Sequence, residues 1–246
     1  MPYTAVTALS HVGLVREHNE DSLVVGPWTL CGTATESPQT LLFPLGTPLI
    51  VAAADGLGGQ PAGEVASALV VRRLATLGPT LDGEEAVRDA VDLCNRVVYS
   101  VADGDPELTT MGSTVAGAVV LTDSLLVFNI GDSKVFEVTG DALRQVSVDD
   151  SPPPAPGQRI TSAVTQTLGG GTTFAPVTAH VSLSPLSPGN RYLVCTDGLT
   201  DPVPEDEVES LLRLYDDGRA AYELWKAAVE AGGPDNITLA LIRVGE

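Results

Sequence analysis

Five segments of this chain set acidic residues at the boundary of an apolar, strand-like run, with few Lys or Arg beside them. LIVAAADGLGG ends its run on Asp55, YLVCTDGLTD on Asp197 and VFNIGDS on Asp132. REHNEDSLVV sets Glu20 and Asp21 just ahead of an early run, and GGPDNITLALI sets Asp235 ahead of the last one. Taken singly, each has an ordinary reading. An Asp-Gly after a strand makes a turn, because Asp bonds its own backbone and Gly accepts positive φ. Glu20-Asp21 alone reads as a solvated loop or helix cap, and Asp235-Asn236 as an Asx turn. Taken together, ionised carboxylates beside a core are costly without counter-charge. Divalent cations supply that charge, and an all-oxygen donor set selects Mg2+, Mn2+ or Ca2+ over zinc or copper.

The runs between these acids are mostly strand-like. Tyr3–Leu9, Ser22–Val25, Leu49–Ala54, Thr114–Leu121, Leu125–Ile130, Val135–Val138, Val177–Val181, Tyr192–Cys195 and Ile237–Val244 are bounded by Gly, Asp, Asn or Pro, and several are β-branched. LLVFNIGD and KVFEVTGDAL read as successive antiparallel strands joined by tight turns, the second at Gly140-Asp141. Helical periodicity predicts a pair over Gly63–Leu77 and Glu84–Ala102, and another over Glu205–Leu214 and Ala220–Ala231. Many strands with two inserted helical pairs predict an α+β layered sandwich of largely antiparallel sheets. Strict βαβ alternation is missing, which disfavours a Rossmann-type fold. Pro27–Thr47 and the proline-rich Asp149–Gly157 read as surface loops, the second extended or polyproline-like.

Charge narrows the function classes. The chain has 246 residues with 32 acids against 13 bases, a net charge of −19. Nucleic acid and anionic membranes need basic patches, so neither is expected as a partner. Cys31, Cys94 and Cys195 form no CxxC pair, which argues against a zinc knuckle or disulfide framework and for a reducing, cytoplasmic setting. The first residues lack the basic start and apolar run of a signal peptide, and Leu49–Ala54 is too short to span a bilayer.

In chain order the motifs are Arg16-Glu-His-Asn-Glu20-Asp21, Asp55-Gly-Leu-Gly-Gly59, Gly112-Ser-Thr114, Gly131-Asp-Ser-Lys134, Asp197-Gly-Leu-Thr-Asp201 and Asp235-Asn-Ile-Thr238. In order and spacing, over nearly the whole chain, this set resembles the metal-dependent (type 2C, or PPM) Ser/Thr protein phosphatase family of bacterial type. The resemblance implies a four-layer α-β-β-α sandwich, residues 1–246 as one catalytic domain, and hydrolysis of phosphoserine or phosphothreonine by water activated between two ions. It implies that Asp55 bridges two tightly bound Mn2+ or Mg2+ ions and that Gly56 offers its carbonyl. Asp197 and Asp235 then complete the coordination of the first ion, Glu20 and Asp21 serve the second ion directly or through water, and Asp132 holds a third, weaker ion. Arg16 grips the phosphate oxygens, as a planar guanidinium suits. A phosphorylated protein substrate, an opposing Ser/Thr kinase and a monomeric state complete the expectation.

The chain departs from the family pattern in three places. Lys134 stands where the family has Arg, and His11 follows Ser10 where Asp is frequent. His11, like His18, is open to two readings, a surface residue or a proton donor to the leaving alkoxide. Asp149-Asp150-Ser151 replaces Asp-His-Ser, and the flap that follows, about 149–170, is roughly halved. The Pro27–Thr47 stretch is long for a bacterial member and reads as a docking loop. Two other functions compete: a catalytically weak relative that binds a phosphorylated partner, and a calcium-binding structural domain. The first needs a lost metal acid, and none is lost. The second needs a compact DxDxDG loop, and the acids are scattered.

Overall fold

The protein was analysed as a computed structural model that describes residues 2–59, 61–140, 142–153, 161 and 163–246. The chain begins with β1 (Tyr3–His11), β2 (Ser22–Val25), β3 (Trp28–Cys31), β4 (Gln39–Pro44), β5 (Leu49–Ala54) and β6 (Gly56–Leu57). Helices α1 (Ala62–Leu77) and α2 (Glu84–Ala102) precede β7 (Gly112–Ser113), β8 (Val115–Val120), β9 (Ser124–Ile130) and β10 (Lys134–Val138). Next come β11 (Leu143–Gln145), β12 (Leu168–Gly169), β13 (His180–Pro185) and β14 (Arg191–Cys195). The short α3 (Asp197–Thr200), α4 (Glu205–Leu214), α5 (Asp217–Glu230) and β15 (Ile237–Gly245) complete it.

Alternation along the strands produces the layers. In β5, Leu49, Val51 and Ala53 face one core, while Ile50, Ala52 and Ala54 face another. In β15, Ala240, Ile242 and Val244 share the core of Val51, whereas Ile237, Leu239 and Leu241 turn away from it. A strand apolar on both faces must be covered on both. One sheet, ordered β11-β10-β14-β15-β1-β4, therefore lies against a second, ordered β13-β9-β8-β5-β2-β3, with Val6, Val51, Ala118, Tyr192 and Ile242 between them. Helices α1 and α2 cover the second sheet through Val70, Leu74, Val91 and Val98. Helices α4 and α5 cover the first through Val208, Leu212, Ala221 and Leu224. Each such Val or Leu contributes about 1.5–3 kcal/mol by leaving water. A short third sheet, β12-β7-β6, sits at one end. This is the four-layer α-β-β-α sandwich. The strand pairs within the two large sheets are antiparallel.

Local chemistry fixes the helix boundaries. Helix α4 opens on Glu205, Asp206 and Glu207, which favour the positive end of its dipole. Helix α5 starts three residues before the expected Ala220, because the Asp216 side chain accepts from Arg219 N and caps it.

Four expectations need correction. Strands β9 and β10 are not partners: β9 pairs with β8 and β13, while β10 pairs with β11 and β14. The chain crosses between sheets at Gly131-Asp132-Ser133, with Gly131 at φ 93°. Pro27–Thr47 is not all loop, since β3 and β4 are edge strands, short, half exposed and set among the Gly, Thr and Pro residues that read as loop. The strand placed at Val177–Val181 starts at His180. Asp-Gly at 197–198 opens a helical turn. Residue 141 of the expected Gly140-Asp141 turn, residues 154–157 of the proline-rich loop, and part of the shortened flap lie outside the described residues. Among the described residues, no helix is long and apolar enough to cross a membrane.

Candidate metal centre

Strand register gathers the acids at one end of the sandwich. Ser22 lies opposite Ala54, so Asp21, just before β2, and Asp55, just after β5, become neighbours. Lys134 lies opposite Cys195, which brings the Asp132 turn beside Asp197. His11 lies opposite Ile237, so the loop after β1 meets Asp235. Two glycines permit the approach. A side chain on Gly56 would strike Gly63 O at 2.2 Å, and one on Gly198 would strike Asn236 O at 1.8 Å.

The electrostatics are those of crowded, uncompensated acids. Burial pushes Asp21 up to about 7, against the lowering effect of hydrogen bonds from Thr238 and Thr196. Asp55 is held well above the ordinary carboxylate range by burial and by the fields of Asp197, Asp21, Asp235 and Asp132. Asp197 is raised in the same way by burial, Asp132, Asp201, Asp235 and Asp21. Burial raises Asp132 and Glu20 as well. Arg16 Nη2 meets Asp235 Oδ2 at 2.7 Å, with half of the Arg16 side chain exposed. Register therefore sets Asp21 beside Asp55 and the Asp132 turn beside Asp197, the Arg16 pair holds Asp235 at the same end, and Glu20 and Gly56 adjoin Asp21 and Asp55 in the chain.

Among the described residues, no three His, Cys, Asp or Glu side chains stand at ligand spacing. Asp21 Oδ1 is buried without a donor, although Oδ2 accepts from Thr196 Oγ1 at 2.9 Å. A buried carboxylate oxygen with no donor, ringed by other acids, fits a hard divalent cation.

A supporting shell holds these groups. Asn236 Oδ1 accepts from Glu20 N at 2.7 Å, and its amide donates to Val12 O at 2.9 Å and His18 O at 2.8 Å. Thr114 Oγ1 receives Asp55 N at 3.1 Å and meets Ser133 Oγ at 2.7 Å. Lys134 Nζ pairs with Asp149 Oδ2 at 2.9 Å and donates to Asp132 O at 3.1 Å, a single-point tether where an Arg would fork. His11 accepts from Gly13 N at 2.9 Å and packs edge-on against Trp225, with burial lowering its pKa. His180 bonds Asp150, and the His18 carbonyl serves Asn236. Sequence reasoning quoted Thr114, Asn236 and Thr238 within motifs but gave them no part. It missed Thr196, which reaches Asp21 across 175 residues.

The model of the protein phosphatase 2C family matches residues 44–229, well over half of the chain. The chain belongs to the protein phosphatase 2C family. A relative within this group of sequences, the serine/threonine protein phosphatase PstP of Mycobacterium tuberculosis, is 29% identical over 252 aligned positions, covering 96% of this chain and 44% of that one. The serine/threonine phosphatase stp of Listeria monocytogenes is 26% identical over 94% of this chain and 92% of that one. This chain thus spans under half the length of the mycobacterial relatives it matches. Among solved structures, the catalytic domain of PstP in complex with two manganese ions superimposes with a TM-score of 0.80 at 29% identity, over 100% of both chains. The family's sandwich is the fold described above.

Proposed function

We propose that this chain hydrolyses phosphoserine and phosphothreonine in phosphoproteins by metal-dependent attack of water. The observation that carries this is the convergence of Asp21, Asp55, Asp197 and Asp235 from four distant segments, with Asp21 Oδ1 lacking a donor. Asp55, the Gly56 carbonyl, Asp197 and Asp235 would hold one Mn2+ or Mg2+ ion. Asp55, Glu20 and Asp21 would hold the second, and Asp132 a weaker third. When bound, such ions acidify water and neutralise charge developing on a phosphoryl group. Arg16 would orient the substrate: half exposed beside Asp235, its planar guanidinium suits two phosphoryl oxygens at once. Thr196 keeps Asp21 aimed, and Asn236 ties the Glu20 backbone to the last strand.

The relatives' phosphatase activities support the same reading, as does the manganese pair in the PstP structure. We further infer that residues 1–246 work as one catalytic unit with a flap shortened at about 149–170, acting as a monomer in the cytoplasm against an opposing Ser/Thr kinase. Hydrolysis of p-nitrophenyl phosphate and of a phosphothreonine peptide with Mn2+, Mg2+, Ca2+ or EDTA tests it. Asp55→Asn is expected to lower kcat at least about a hundredfold. Activity that survives EDTA overturns the reading.

A further inference from the structure

The turn that carries Asp132 between the two sheets is held from an unexpected side. Gly131 N donates to Asp150 Oδ2 at 2.9 Å, and Gly131 O accepts from Asp150 N at 2.9 Å. One residue therefore satisfies both polar groups of the glycine next to Asp132. That glycine sits at φ 93° with room for no side chain, since a Cβ there would meet Thr114 Cγ2 at 2.7 Å.

Asp150 is itself fixed from three further directions. Its Oδ1 pairs with His180 Nε2 at 2.8 Å, on β13. Its Oδ2 also accepts from Gln166 Nε2 at 3.0 Å, and Gln166 Oε1 is in turn held by Thr178 N at 2.6 Å. Its carbonyl accepts from Thr165 N at 2.7 Å and Thr165 Oγ1 at 2.9 Å. A carboxylate that accepts several bonds in a mostly buried place is a rigid anchor, because releasing any donor leaves it unsatisfied. Its hydrogen bonds go to Gly131, Thr165, Gln166 and His180, and its charge lies near enough to help raise Asp132. Its neighbour Asp149 grips the other end of the same turn through Lys134.

We propose that Asp150 is the positioning residue for Asp132. It locks the crossover turn, and through Gln166, Thr165 and His180 it ties that turn to the segment returning from the flap. The proposal rests on the phosphatase reading for its catalytic consequence and on geometry alone for the locking.

The test compares wild type, Asp150→Ala, Asp150→Asn, Asp132→Ala and the Asp132→Ala/Asp150→Ala double variant. Amide hydrogen exchange at residues 130–133 is expected to quicken at least about tenfold in Asp150→Ala, with β5 and β8 amides unchanged. Asn keeps one acceptor for Gly131 N, so Asp150→Asn is expected to fall between the two. The Mn2+ concentration for half-maximal phosphopeptide hydrolysis is expected to rise at least about fivefold in Asp150→Ala, as in Asp132→Ala. The double variant is expected to be no worse than Asp132→Ala, since coupled residues fail to add. Wild-type exchange at 130–133 in Asp150→Ala overturns the proposal, as do losses that multiply in the double variant. If Asp150→Ala does not fold, Asp150→Asn decides, and unchanged exchange there overturns it equally. A wild-type chain that hydrolyses nothing sinks the phosphatase reading, and exchange alone then judges Asp150.

Discussion

At the scale of single residues, the centre is defined by charge that its own fold leaves uncompensated. Free Asp titrates near 3.9, whereas folded Asp21 is lifted to about 7 and Asp55 and Asp197 stand well above the ordinary range. Between about pH 4 and 7 the folded chain therefore binds more protons than the unfolded one. Stability must fall as pH rises through that window, because deprotonation is easier after unfolding. In EDTA the melting temperature is expected to drop by at least about 5 °C from pH 5 to 7.5, given about 2–4 °C per kcal/mol for a chain of this size. Saturating Mn2+ should shrink that drop, since ions favour the ionised carboxyls. A flat profile in EDTA would mean that these acids have counter-charge of their own. The acids were legible in the sequence because each closes or opens an apolar run. Asp150 was not, because its partners Gly131, Gln166 and His180 are joined to it only by folding.

At the scale of elements, both helical pairs and most central strands could be read from periodicity, since strands covered on two faces and amphipathic helices have strong patterns. The edge strands could not. In β4 the apolar Leu41-Leu42-Phe43 is only three residues long and alternates between exposed and half-buried, and β3 has four residues with two exposed, so each run is too short to stand out from the loop around it. The separation of β9 from β10 was also hidden, because a tight turn and a sheet crossover can share Gly-Asp-Ser. Close sheet contact leaves its own mark at Gly117 in β8, where a Cβ would meet Ala52 Cβ at 2.4 Å and Val51 O at 2.6 Å. Gly117→Ala is expected to cost about 1–3 kcal/mol by overpacking, read as a lower urea midpoint with unchanged slope. A midpoint equal to wild type would show that β5 can give way.

At the scale of the molecule, the first and last strands lie side by side over their whole length, from Tyr3 opposite Gly245 to His11 opposite Ile237. β15 also pairs with β14, so it is the central seam of its sheet. Deleting residues 237–246 is expected to abolish cooperative unfolding by circular dichroism, and a truncated chain that still melts sharply would show the seam to be dispensable. The same arrangement has a consequence in time. A chain is made from its N-terminal side onward, and Asp235 emerges 219 residues after Arg16, Asn236 216 residues after Glu20. While the ribosome still holds them, Arg16 has no Asp235 to meet and the Glu20 backbone has no Asn236 to hold it. A copy made only as far as α5 therefore carries every acid of the centre except Asp235 and lacks the ties that Asp235 and Asn236 make, so any chemistry the centre performs waits for those two residues.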